Sequence, residues 1–412
     1  MKDSGVEYIG KIPNEWKIVK YGRFAQCRMG ETILASDTCE NGIPVYSATN
    51  DDKIFGYVQN AGLILNRGDL VIPARGNSIG CASIVTEEKA TCTQTTICSR
   101  NIKGINGKYL FYCCWGLKND WFRYEGSAIP QVTISQINNN KVPLPDFDTQ
   151  EKIVEFLDSQ LETINNIINA TQESVVMYNE LKKSIITNAV TKGVHDNKHM
   201  KNSFVTWLGN IPESWKIYRI ANLYQERSES GLEELPILTV SINSGVSDRE
   251  IADEEKDRVF VRSEDRTKYK RVYPGDLVYN MMRAWQGAFG AVRVEGMVSP
   301  AYVVAKPKDG IEIDSRYMEA LLRTSEATEE MHRYSRGIVD FRLRLYWPEF
   351  KNIRICLPPI EEQKEIADFI DRKSQEIDLL INKKEQFISE LENYKKSLIY
   401  EYVTGKKEVP EF

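Results

Sequence analysis

The chain repeats itself about 200 residues apart, and this restricts the fold more than any other feature of the sequence. Gly10-Lys-Ile-Pro-Asn-Glu-Trp16-Lys-Ile returns as Gly209-Asn-Ile-Pro-Glu-Ser-Trp215-Lys-Ile, an offset of 199 from position 10 to position 209. Arg67-Gly-Asp-Leu-Val71 returns as Pro274-Gly-Asp-Leu-Val278, an offset of 207 from Arg67 to Pro274. Leu144-Pro-Asp-Phe-Asp-Thr-Gln150 returns as Leu357-Pro-Pro-Ile-Glu-Glu-Gln363, and Lys182-Lys-Ser184 as Lys395-Lys-Ser397, both at 213. The order is collinear and the offset grows only in the middle of each half. Any fold must therefore use one plan twice, with matching ends and differing middles.

Each half closes on one long helix. After Pro145 there is neither Pro nor Gly until Gly193. Within that stretch Leu157, Leu161, Ile164, Ile168, Thr171, Val175, Tyr178 and Ile185 recur at mostly alternating spacings of three and four, the pattern of a coiled-coil seam. After Pro359, Ile370, Ile377, Leu391 and Leu398 occupy one heptad position, with Leu380, Phe387 and Tyr394 expected on the other. Asp148 and Thr149 are expected to cap the first helix, and Glu361-Glu362 complement the second helix's dipole. Gly193 and Gly405 are the stop signals. About 40 residues at 1.5 Å each make rods of roughly 60 Å. A rod with one apolar stripe needs a partner, and an antiparallel pair formed by the two rods restores the symmetry of the repeat.

Short apolar runs bounded by turns read as strands: Leu70–Ile72, Ala82–Val85, Thr95–Ile97, Leu277–Tyr279 and Ala301–Val304. Lys108–Leu117 and Ser315–Thr324 read as helices. Their irregular interleaving predicts α+β globular parts.

Sequence motifs for chemistry are mostly missing. Gly5-Val-Glu-Tyr-Ile-Gly10-Lys11 has P-loop spacing, but Ile12 stands where a magnesium-binding hydroxyl is needed and no strand precedes it. The second copy lacks the lysine as well, so the segment reads as a turn before a packed Pro-Trp anchor. Asp69 with Glu87-Glu88-Lys89 mimics a nuclease carboxylate set. Asp276 repeats Asp69, but the later stretch Arg293-Val-Glu-Gly-Met297 has no Glu-x-Lys. There is no nucleophile elbow and no glycine-rich cofactor loop. The eight cysteines form no Cys-x-x-Cys pair, and His195, His199 and His332 lack ligand spacing, so no metal site is expected. No run of about 18 apolar residues is present, and the first 16 residues lack a signal-peptide core, which predicts a cytoplasmic protein.

The net charge of −5, from 54 Lys+Arg and 59 Asp+Glu, excludes a uniformly basic nucleic-acid binder. It leaves room for local basic surfaces. Two stand out: Arg262 to Arg293, with Lys270, Arg271 and Arg283, and Arg333 to Arg354, with Arg336, Arg342 and Arg344. Both are interleaved with aromatics, Trp285 among them. The first half is milder, with Arg75-Gly-Asn77-Ser78 and the amide-bearing segment from Gln131 to Gln136. Arginine suits bidentate contacts to guanine and phosphate, and side-chain amides suit adenine. The candidate DNA-binding residues are thus Arg75, Asn77, Ser78, Gln131, Lys270, Arg271, Arg283, Trp285, Arg333, Arg336, Arg342 and Arg344.

The paired Ile-Pro-x-x-Trp motifs, the Leu-Pro-Pro-Ile-Glu-Glu-Gln363-Lys-Glu-Ile entry to the distal helix and the Lys-Lys-Ser ending of each helix carry a resemblance over the whole chain. The chain resembles the specificity subunit of type I restriction-modification systems. The first half departs slightly, with Asp146 and Phe147 where the second has Pro359 and Ile360. The resemblance implies an α+β protein with two pseudo-repeated target-recognition domains separated by two long antiparallel coiled-coil helices. It implies boundaries at 1–147 and 200–359 for the domains, with helices in 148–199 and 360–412. It further implies recognition of a split, asymmetric sequence in double-stranded DNA. The partners would be two methyltransferase (modification) subunits carrying S-adenosylmethionine and ATP-dependent restriction subunits, with no catalysis and no cofactor in this chain. Seam residues Leu157, Leu161, Ile164, Ile168, Ile370, Ile377, Leu391 and Leu398 would hold the helices. Two rivals stand beside this reading: a magnesium-dependent endonuclease using Asp69, Glu87 and Lys89, and a coiled-coil scaffold that binds proteins.

Overall fold

The run Gly-Asp-Leu-Val, present in both halves, opens a β-hairpin each time. Asp69 accepts the amide of Asn66 at 2.8 Å through its carboxylate, and its carbonyl accepts the amide of Val85 at 2.8 Å. Asp276 does the same with Tyr273 at 2.9 Å and Val292 at 2.8 Å. Both carboxylates are buried, and desolvation pushes both pKa values up. The preceding Gly68 and Gly275 have φ of 89° and 92°, a region that disfavours any residue with a Cβ.

The computed structural model describes residues 1–48, 54–123, 131–195, 199–250, 268–337 and 343–410. They fall into two units, one of residues 1–173 with 384–412 and one of residues 174–383.

In the first unit, Lys17–Lys20 (β1) pairs with Lys141–Leu144. A four-stranded antiparallel sheet is built from Gln26–Met29 (β2), Leu70–Pro73 (β3), Ser83–Ile84 (β4) and Thr96–Arg100 (β5), in the order β2-β5-β3-β4. Gly107–Gly116 (α1) covers one face, Ile134–Asn139 (α2) follows, and Lys141–Leu144 is β6. The run Leu70–Ile72 is wholly buried because both faces of β3 are covered. Leu70 and Ile72 join the main core, while Val71 joins a smaller one with Leu63, Leu65 and Ala90. A second sheet, ordered Ile54–Val58, Ile43–Tyr46, Lys89–Cys92 and Leu65–Asn66, forms the middle of this half.

The second unit repeats the framework. Lys216–Arg219 (β7) pairs with Arg354–Leu357. Its sheet comprises Tyr224–Arg227 (β8), Leu277–Asn280 (β9), Phe289–Ala291 (β10) and Tyr302–Pro307 (β11), in the order β8-β11-β9-β10. Ser315–Leu322 (α4), Ser325–Tyr334 (α5), Trp347–Phe350 (α6) and Arg354–Leu357 (β12) complete it. Leu277 and Tyr279 enter the main core and Val278 a lesser one, as in β3. Among the described residues, this middle has two small ribbons in place of a second four-stranded sheet, Val240–Ser241 with Gly245–Val246 and Lys270–Val272 with Gly296–Val298.

The long helices are Phe147–Lys192 (α3) and Ile360–Val403 (α7). Asp146, one residue outside α3, caps it by accepting the amide of Thr149 at 2.9 Å and its hydroxyl at 2.8 Å. This replaces the expected Asp148 and Thr149 caps, because a carboxylate reaches the amide three residues on only from outside the first turn. Gly193 and Gly405 take φ of 83° and 66° just beyond the helix ends, as stop glycines do. A Cβ on Gly405 would meet Pro13 at 2.5 Å and Trp16 at 3.1 Å, so the first Ile-Pro-x-x-Trp motif is the socket for the end of α7.

Buried Gln150 binds the amide of Asn106 at 2.8 Å and the carbonyl of Pro145 at 3.0 Å. Gln363 binds the amide of Asp314 at 3.0 Å and the carbonyl of Pro358 at 2.8 Å. The repeated glutamine therefore ties each helix start to its own globular part.

Within each unit the helix segments run antiparallel. In the first, Phe156 packs on Tyr402 at 4.6 Å between centroids, the rings tilted by 37°, and Lys395 donates to Asn165 at 2.7 Å. In the second, Lys182 pairs with Asp378 at 2.7 Å and His195 with Glu365 at 2.9 Å. Leu157, Ile164, Ile168, Ile370, Ile377 and Leu398 are buried, and Leu161 and Leu391 are partly so. The expected second heptad position of α7 is corrected. Leu380, Phe387 and Tyr394 are 41%, 44% and 49% exposed, while Ile366 and Ile381, four residues from Ile370 and Ile377, are buried. The choice between +3 and +4 is made by the partner surface. No helix among the described residues is long and apolar enough to cross a membrane.

Candidate nucleic-acid interface

Strand β3 ends at Pro73, and past buried Ala74 the chain runs onto an exposed edge that starts at Arg75. The carbonyl of Ala74 accepts the amide of Val132 at 2.9 Å, which sets Arg75 against Gln131 in an antiparallel bridge. These candidates lie 56 positions apart in sequence, and the fold places them side by side. Both are exposed, and the Arg75 side chain has no ion pair or hydrogen bond among the described residues. Asn77 is exposed on the same turn, where Gly76 takes φ of 79°. Ser78, on the same turn, is buried.

The second unit builds the corresponding edge on the corresponding scaffold. The carbonyl of Met281 accepts the amide of Leu345 at 2.9 Å. Ala74 to Met281 is the offset of 207, and Val132 to Leu345 is the offset of 213, so this hydrogen bond is the same one in both halves. By that equivalence Gln131 corresponds to Arg344, and the turn holding Arg75 corresponds to the turn holding Met282 and Arg283. Arg344 and Arg336 exchange both main-chain hydrogen bonds at 2.9 Å. Arg283 and Arg344 are exposed, without ion pairs or side-chain hydrogen bonds among the described residues. Trp285 donates to the carbonyl of Met282 at 3.1 Å and meets His332, at the end of α5, edge to face at 5.3 Å. This contact brings the end of α5, with Arg333, to the same turn.

Two acids temper this edge. Arg336 pairs with Glu349 at 2.5 Å and Arg333 with Glu330 at 2.9 Å. Both guanidinium groups are largely exposed, while Glu349 and Glu330 are only 12% exposed, so the carboxylates anchor the arginines at this edge.

Lys270 and Arg271 are engaged differently. Lys270 donates to the carbonyl of Tyr302 at 2.7 Å, and burial pulls its pKa down. Arg271 is held by Glu295 and lies over the Tyr273 ring at 4.9 Å, which Arg227 also covers at 4.5 Å. Arg342 lies outside the described residues. Met282, half-exposed beside Arg283, was not singled out in sequence. Its signal was alignment with Arg75 through the offset of 207.

The nuclease-like residues have other work. Asp69 holds its turn, Glu87 accepts the hydroxyl of Tyr46 at 2.7 Å, and Glu87 binds Thr86 at 3.1 Å. Among the described residues no group of three or more His, Cys, Asp and Glu is placed to hold a metal ion.

Scaffold and edges together define a tandem-repeat protein with two pseudo-equivalent faces that carry different side chains. Residues 13–176 and 236–390 match the type I restriction modification DNA specificity domain, and the chain belongs to that family. It is 25% identical over 389 residues to the type I restriction enzyme MjaVIII specificity subunit of Methanocaldococcus jannaschii, covering 87% of this chain and 86% of that protein. In fold it is similar to a chain solved in work on complex assembly and conformational transition of the type I R-M system. That match has 14% identity, a TM-score of 0.67, and covers 96% of this chain and 100% of that one. It is also similar to the HsdS subunit of Thermoanaerobacter tengcongensis, at 16% identity and a TM-score of 0.51, over 99% and 100% of the two chains.

Proposed function

We propose that this chain is the DNA-specificity subunit of a type I restriction-modification complex, and that each half reads one part of a split, asymmetric duplex target. The observation that carries this reading is the shared hydrogen bond, Ala74 to Val132 and Met281 to Leu345, which presents different side chains from one scaffold position. The first face offers Arg75, Asn77 and Gln131, and the second offers Arg283, Trp285, Arg333, Arg336 and Arg344. An amide-rich edge and an arginine-rich edge favour different bases, so the two half-sites differ. Lys270 and Arg271 act in this reading as supports of the second face. Arg342 is kept as a DNA contact of the second half on its sequence alone.

The domains correspond to 1–147 and 200–359, with helices in 148–199 and 360–412. Two modification subunits dock on the helices, and restriction subunits join them in the cytoplasm. Support for helix docking comes from exposed apolar residues that no core uses: Val176, Met177, Leu181 and Leu379 in the second unit and Phe387 in the first. Chemistry is left to the partners, and the chain contributes position.

The test is exchange. Replacing residues 225–350 by the same segment of a relative, then mapping methylated sites, should change one half-site and leave the other unaltered. A change in both halves, or in neither, overturns the reading. Cleavage of duplex DNA by the purified chain with magnesium alone would favour the nuclease instead.

A further inference from the structure

Two pairs of like charges stand directly opposite each other in the chain, one in each unit and at the same structural position. Lys20 faces Lys141 across the β1–β6 ladder, and Arg219 faces Arg354 across the β7–β12 ladder. The members correspond by the offsets already found, 199 for Lys20 and Arg219 and 213 for Lys141 and Arg354. Residues directly opposite in an antiparallel pair hold their Cβ atoms about 4.5–5.5 Å apart on one face, and like charges there are destabilising. A two-stranded ladder has no further strands to compensate.

The surroundings do not neutralise these cations. Among the described residues, no carboxylate pairs with any of the four. Each unit supplies only a neutral acceptor. Lys20 donates to Asn139 at 2.9 Å, and Arg219 donates to Asn352. Those asparagines are themselves held by donation to the carbonyl four residues back, Ser135 at 2.9 Å and Pro348 at 2.7 Å. Lys17 and Lys216, on the same strands, are exposed as well. In each unit the pair follows the face by ten residues, Gln131 to Lys141 and Arg344 to Arg354.

We infer that Lys20–Lys141 and Arg219–Arg354 are twin phosphate clamps, one in each unit, that grip the DNA backbone beside each reading face. The inference rests on the functional reading above and adds an interaction of a different kind. A phosphate between two cations turns their repulsion into attraction, so the ladder is relieved only when the anion is bound. The ligand is a nucleic-acid backbone rather than an acidic protein because protein interfaces centre on apolar anchors. None of the exposed large apolar side chains lies on β1, β6, β7 or β12. The clamps carry no base information, so they contribute affinity and register without preference.

The experiment uses the full chain with its modification subunits and a mixed-sequence duplex, with dissociation constants measured by fluorescence anisotropy across a potassium chloride series. The variants are Lys20→Gln with Lys141→Gln, Arg219→Gln with Arg354→Gln, and all four together. Each double variant should lower the slope of log affinity against log salt by roughly 0.9 for every phosphate it no longer neutralises. Base preference should be unchanged, and Lys20→Arg with Lys141→Arg should keep the parent slope. Thermal melting of the neutral variants should match or exceed the parent at low salt, which separates a weakened grip on phosphate from unfolding. An unchanged slope in the fourfold variant, with a parent that binds duplex, overturns the clamps alone. So does a variant that loses a modification subunit while its DNA slope stays constant, which would assign the pairs to protein docking. A parent complex that binds no duplex overturns the clamps and the functional reading together.

Discussion

The hydroxyl of Tyr317 donates to the main-chain carbonyl of Val190, 3.1 Å away and 127 residues earlier in the chain. It also lies 3.2 Å from the carbonyl of Cys356. Tyr109 reproduces both interactions in the other unit, with Val403 at 3.1 Å and Pro143 at 2.9 Å. Each helix thus ends against the globular part of the half that did not supply it. Both hydroxyls are fully buried, and desolvation raises their pKa well above the usual phenol range.

Tyr109→Phe and Tyr317→Phe should therefore each destabilise the chain by about 1–3 kcal/mol, since each removes a buried hydroxyl that bridges two main-chain carbonyls. Chemical denaturation followed by circular dichroism measures this. A loss below about 0.5 kcal/mol in both variants would show that water replaces the hydroxyl.

The two faces of the long helices should respond differently to charge. Leu161→Asp and Leu391→Asp place a carboxylate in the packed seam and should reduce solubility or abolish assembly. Leu380→Asp and Phe387→Asp alter exposed positions, so the chain should fold as the parent does but bind modification subunits less tightly. Size-exclusion chromatography of co-expressed subunits distinguishes the two. Normal assembly by all four variants would remove the helices from the docking surface.

Single arginine substitutions should separate base contacts from phosphate contacts. Arg283→Ala or Arg344→Ala, if the side chain reads a base, should weaken binding by about 1–3 kcal/mol and relax preference at one position of one half-site. Arg75→Ala should act on the other half-site only. Competition binding against single-base variants of the target gives the answer. Unchanged affinity and preference for all three would place the reading surface elsewhere.

Thiol labelling provides a check on the fold that needs no DNA. Cys92, Cys98, Cys113, Cys114 and Cys356 are buried, and burial pushes the Cys356 thiol up to about 12. Cys27 is partly exposed but is pushed up to about 11, again by burial. At pH 8 iodoacetamide should therefore modify Cys39 and Cys81 first, and the buried five only after denaturation. Rapid modification of Cys113 or Cys114 in the native chain, read by peptide mass, would contradict the packing of α1.

The sequence offsets of 199, 207 and 213 proved to be structural as well as textual, because they link equivalent hydrogen bonds. Gln150 and Gln363 show this, as do Asp69 and Asp276. Strands such as Leu70–Ile72 were legible because a continuous apolar run marks burial on both faces. The seam of α7 was only half legible. Leu380 and Ile381 are adjacent and equally apolar, so only the surface packed against the helix selects Ile381. The pairing of Arg75 with Gln131 was not legible, since nothing local to either residue names the other. The same holds for Lys20 and Lys141, each unremarkable until the ladder sets them face to face.

The exchange of helix ends has a consequence for synthesis. The second unit is one continuous stretch, residues 174–383, whereas the first is completed by residues that follow it. At about 5–20 residues per second, a ribosome making those intervening 210 residues takes roughly 10–40 s. Throughout that interval the pocket around Trp16 and Tyr109 exists without the helix end that fills it. The half translated first is thus the last to mature, and a nascent chain that stalls in between presents an unfilled apolar socket to chaperones and proteases.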